Sequence, residues 1–121
     1  MPRLVVAPIA SGDLQSILDW SQETFGDAAR RRYESLLIQA MLDVAEDPTR
    51  TGVVLRSDLR KELRTYRLYF SRIRARSAAG IVKRPRHVLV FRHRTDGAVE
   101  IVRILHEHMD FELHLPTDDE S

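Results

Sequence analysis

The spacing of apolar positions divides this 121-residue chain into two regimes. In the first, Leu14, Ile17, Leu18, Ser21 and Phe25 recur at the three- and four-residue intervals that line one face of a helix. Tyr33, Leu36, Leu37, Ala40, Met41 and Val44 repeat that stripe more strongly. Gly26 suits the end of the first helix, Asp27 is placed to cap the second, and Pro48 closes it. Helices separated by so short a break are predicted to form an antiparallel hairpin. Ahead of them, the β-branched run Arg3 to Ala7 is ended by Pro8 and predicts a first strand.

In the second regime, from Leu63 onward, the period becomes two. Tyr66, Leu68 and Phe70 alternate with Arg67, Tyr69 and Ser71, which predicts a strand. If that strand continues, Arg72, Arg74 and Arg76 share one of its faces. A basic loop punctuated by Gly and Pro, Ser77 to Pro85, leads to His87-Val-Leu-Val-Phe91, apolar on both faces and therefore a central strand. Thr95-Asp96-Gly97 marks a hairpin turn, and Val99 to Leu105 is the returning strand. Asp110 to Leu115 is short enough to be a single terminal turn of helix or a loose segment, and Met109 is expected to plug the helix–sheet core. The order is strand, two-helix hairpin, three-stranded mainly antiparallel meander and short C-terminal helix. That is an α+β layout with the hairpin lying across the sheet. Residues 1–116 form a single domain in this reading, while residues 117–121 offer no apolar side chain to bury and are expected to be disordered.

Composition narrows the function. With 43% apolar and 31% charged residues the chain reads as a folded soluble protein, too short for separate cofactor and substrate domains, and no cofactor is expected. No apolar run approaches the roughly 20 residues that span a bilayer. MPRLVVAPIA lacks the apolar core of a signal peptide, so the expected location is cytoplasmic. The absence of cysteine removes disulfides, thiolate nucleophiles and cysteine-based zinc sites. Charge is segregated. Residues 1–49 carry four arginines against eight acids, residues 50–106 carry thirteen arginines and two lysines against four acids, and residues 107–121 carry six acids and no arginine or lysine. A basic middle block so rich in arginine suits an anionic partner, because a guanidinium holds carboxylate or phosphate through two parallel hydrogen bonds.

Candidate chemistry concentrates in Val102–Leu115, VRILHEHMDFELHL, which places His106, His108 and His114 among Glu107, Asp110 and Glu112. Ligand geometry argues against zinc. His106 and His108 share a face only in a strand, and the helical partner of His108 would be Glu112, so no H-E-x-x-H arrangement starts at His106. A metal-independent ribonuclease would use arginine to stabilise a phosphorane and histidine to move protons, and Arg72, Arg76, His87 and His106 are the candidates. Their spacing is not diagnostic. Tyr66 and Tyr69 fall on opposite strand faces and make no base-stacking platform.

Glu100–Leu115, EIVRILHEHMDFELHL, resembles the C-terminal signature of the RelE/ParE toxin superfamily in its ParE, or plasmid-stabilisation, branch. Arg103, Leu105, His106, Met109, Asp110, His114 and Leu115 carry the likeness. Asp13-Leu14, Ile17 and Trp20 in the first helix, Gly26, the lead-in Arg56–Tyr66 and the strand His87–Arg92 extend it over nearly the whole chain. The loop Arg76–Arg86 is longer and more basic than in compact members. No tyrosine follows Tyr69, whereas the nucleases of the superfamily use a C-terminal His or Tyr. The resemblance therefore implies a type II toxin that inhibits DNA gyrase and is neutralised by a ParD-like antitoxin. The alternatives are a ribosome-dependent mRNA endonuclease and an inactive partner-binding homologue. It further implies that His106 and Asp110 finish the last strand and fix the terminal segment. Arg103 then faces a carboxylate, and Arg64, Arg67, Arg72 and Arg103 are the expected contacts to an acidic antitoxin segment.

Overall fold

The computed structural model describes residues 3–115. Strand β1 (Leu4–Val6) is followed by helices α1 (Pro8–Phe25) and α2 (Asp27–Glu46), a short strand β2 (Val53–Leu55), β3 (Leu63–Arg67) and a 3-10 turn, Leu68–Ser71. Strands β4 (His87–His93) and β5 (Val99–His106) and a second 3-10 turn, Phe111–His114, complete the order. The sheet runs β1-β5-β4-β3-β2, parallel between β1 and β5 and antiparallel elsewhere, so β4 is the central strand that its two apolar faces predicted.

The hairpin packs on one face of the sheet and forms the main core. Leu18 of α1 and Leu36, Leu37 and Val44 of α2 meet Tyr66, Leu89, Phe91, Ile101 and Ile104. The pleat sends Leu63, Val90, Val102 and Leu105 to the other face, where Leu115 joins them and Leu59 and Phe111 pack partly over the cluster. Val90 pairs with Arg103 and Phe91 with Ile101, leaving Val102 as the extra residue of a bulge in β5.

Four boundaries differ from the sequence expectation. The first helix begins at Pro8, which sits at its N-terminus where a missing N–H costs nothing, rather than near Leu14. Gly26, at φ 93°, both ends α1 and precedes α2, and Asp27 is the first residue of α2 rather than its cap. The edge strand β2 was not foreseen, because Val53, Val54 and Leu55 are too few to show a period. Most consequentially, β3 stops at Arg67. Ser71 turns inward to bond the Tyr66 hydroxyl at 2.7 Å and to donate to Asp43 at 2.6 Å. Asp43, buried on α2, also receives Arg50 at 2.9 Å and Arg74 at 3.3 Å. A carboxylate so buried is tolerated only with such partners, and gathering them bends the chain out of the sheet. Arg72, Arg74 and Arg76 therefore share no strand face.

Candidate functional site

The strongest charged contact of β5 lies within the chain. Arg103 forks onto Asp13 of α1, Nε and Nη2 each donating at 2.8 Å, while Nη1 donates to the His114 carbonyl at 2.9 Å. The Ile104 N–H donates to the same carboxylate at 2.9 Å. Asp13 thus ties α1, β5 and the terminal turn together, and its hydrogen bonds push the Arg103 pKa up. The carboxylate that Arg103 was expected to face is the chain's own. Arg64 is also engaged internally, donating to the Pro48 carbonyl at 2.8 Å just beyond α2.

Arg67 and Arg72 are placed differently. Both guanidiniums lie over the ring of Tyr69, at 5.5 and 3.8 Å from its centroid, making a cationic ridge that starts at the end of β3. Beside the ridge, a groove of about 690 Å3 crosses the sheet face away from the helices, with Val54, Phe70, Val88, Met109 and Phe111 among its walls. Met109, expected in the core, is 45% exposed on the rim of this groove because the chain has left β5 by then. Glu107 sits between the groove and the opposite face, receiving Arg86 at 2.8 Å and Arg67 at 3.4 Å. These cations hold its carboxyl below the usual range.

On the helix side, the ends of β4 and β5 bring together two of the four residues of the ribonuclease reading. His87 pairs with His106 in register, and their ring centroids are 5.4 Å apart. The Tyr33 hydroxyl accepts the Arg86 N–H at 3.3 Å, and assigning its own proton to Nδ1 of His87, 2.6 Å away, satisfies both groups. That leaves His87 as the tautomer protonated on Nε2. Burial and then the neighbouring His106 push the His87 pKa down to about 4, and burial pushes that of Tyr33 up to about 12. The pair is neutral at physiological pH. Both histidines line a cavity of about 870 Å3 between the helix hairpin and the loop from Ala79 to Arg86. Arg72 and Arg76 do not line it, since Arg72 is on the Tyr69 ring and β3 ended before either residue.

His108 bonds back onto His106 through its N–H at 3.2 Å, and His114 belongs to the terminal turn. Among the described residues no three His, Asp or Glu side chains are grouped as metal ligands. Of the residues that build these surfaces, Tyr33 was legible only as one more member of the α2 stripe. The roles of Glu107 and Arg86 come from the end of β5 meeting the start of β4, a contact about 20 residues apart in sequence that no local pattern signals.

The family model for the ParE toxin of type II toxin-antitoxin systems, parDE, matches residues 4–111, from the first strand to the terminal turn. The chain belongs to the ParE toxin family. No individual curated protein matches it. As a ParE-family member it is the toxin of a type II pair, which implies an antitoxin partner. Among the described residues no helix is long and apolar enough to cross a membrane.

Proposed function

We propose that this ParE-family toxin inhibits DNA gyrase by binding and is neutralised by a ParD-like antitoxin. The observation that carries this reading is that the two arginines of the ribonuclease reading are not gathered with its histidines. Arg72 and Arg76, which would have stabilised a phosphorane, do not line the cavity that holds His87 and His106. The exposed Arg67 instead lines an apolar groove, with Arg72 beside it on the Tyr69 ring, as a surface for a protein partner requires. An acidic amphipathic segment of the antitoxin would set carboxylates on Arg67 and Arg72 and apolar anchors among Val54, Phe70 and Met109. Arg103 and Arg64 support this surface from inside the fold and are not proposed as contacts.

The test runs purified toxin in a gyrase supercoiling assay beside an in vitro translation assay. Inhibition of supercoiling with translation intact supports the reading, and the reverse result overturns it. The convergence of His87 and His106 favours a second reading, cleavage of RNA by an acid/base pair. The translation arm addresses that reading directly.

A further inference from the structure

The cavity between the hairpin and the basic loop has a composition that the toxin–antitoxin reading does not use. Its mouth is aromatic: Trp20 and Phe25 of α1 meet edge to face, 5.5 Å between centroids, and are 53% and 66% exposed. Its far wall is the loop, held on α2 by Arg32, which donates to the Ala79 carbonyl at 3.0 Å. Gly80, at φ 110°, makes that approach possible, since a Cβ there would come within 3.2 Å of the Arg32 side chain. The loop presents Lys83 and Arg84, both exposed and, among the described residues, without an ion-pair partner. From Arg76 to Arg86 it contains no acid at all. The floor is His87 and His106. No hydrogen bond among the described residues reaches Nε2 of His87, so an N–H donor opens into an aromatic-walled space.

We infer that this cavity binds a nucleoside phosphate, its base against Trp20 and Phe25 and its phosphate on Lys83 and Arg84. The volume, about 870 Å3, is within the range of small-molecule sites. A purely apolar anchor would strand the imidazole N–H on the floor, whereas a base edge supplies acceptors for it. An aromatic face stacks on any base, and paired cations on a mobile-length side chain suit phosphate better than a flat apolar partner. His87, kept uncharged by its burial, serves as a neutral hydrogen-bond donor to the base. The inference stands apart from the gyrase reading, because the cavity opens on the helix side and the proposed antitoxin groove on the opposite face of the sheet. The same chemistry could come from a free mononucleotide or from one residue of a single-stranded nucleic acid.

Trp20, the only tryptophan of the chain, is a built-in reporter. AMP titrated into the full-length protein is expected to quench its fluorescence saturably, and adenosine or inorganic phosphate alone at least tenfold more weakly. Lys83→Gln combined with Arg84→Gln, two exposed changes that spare the core, should weaken AMP by tenfold or more and leave adenosine unchanged. An oligoadenylate that binds a hundredfold tighter than AMP, with a steep salt dependence, would assign the site to single strands. Equal affinity would assign it to the free nucleotide. Absence of quenching at millimolar AMP, affinity unmoved by the double substitution, or quenching by an acidic amphipathic peptide but not by AMP would each overturn the inference.

Discussion

Two side-chain constellations translate directly into measurable behaviour. The Arg103–Asp13 fork is mostly buried and bidentate, and removing either partner leaves the other charge desolvated. Arg103→Ala and Asp13→Ala should each cost about 2–3 kcal/mol in urea unfolding, and the double variant less than their sum. Any loss of toxicity in Arg103→Ala should therefore track lost stability and not lost contact with a partner. His87 sets the pH response. Its folded pKa lies near 4, below the ordinary 6.5, so the unfolded chain takes up the proton first as pH falls. Stability should be full above about pH 6.5 and decline from there to about pH 4. The groups facing this imidazole are Tyr33 and His106, with Glu107 and Asp13 acting at longer range. His87→Gln should flatten that part of the profile in thermal melts taken across the same range. His106→Gln separates the mechanisms. A gyrase-binding toxin retains its growth arrest, whereas a ribonuclease loses roughly 100-fold or more in cleavage.

The elements show how far sequence patterns reach. Both helices, the central strand and the β4–β5 hairpin were legible because long apolar periods and a turn signal act locally, within each segment. The early end of β3 was not, because its cause is Asp43 on α2, a long-range partner that Ser71, Arg50 and Arg74 all seek. For the same reason the expected arginine row dissolved, while the pairing of His87 with His106 emerged only once β4 and β5 were in register. The turn into β2 yields a prediction of its own. Gly52 has φ 101°, and a Cβ there would sit 2.7 Å from the Phe70 ring. Gly52→Ala should cost about 1–3 kcal/mol and displace Phe70 from the groove wall. The loss would be read in unfolding curves and in the ring resonances of Phe70.

At the scale of the molecule, the sheet separates two surfaces of opposite character, an apolar groove with its arginine ridge on one face and an aromatic, basic cavity under the hairpin on the other. If the antitoxin lies on the ridge, its affinity should fall as salt rises, but only in part, because apolar anchors are not screened. Calorimetry between low and physiological ionic strength would show this, and a salt-independent affinity would remove the ridge from the interface. The parallel pairing of β1 with β5 has a further consequence in time. Leu4 lies opposite Val99, so the first strand waits for about 95 residues of synthesis before its neighbour exists, on the order of 5–20 s at ribosomal speed. Through that interval the nascent chain has no finished sheet and so no toxin surface. The order of translation itself thus delays the finished sheet, and an antitoxin already made has that long to be waiting.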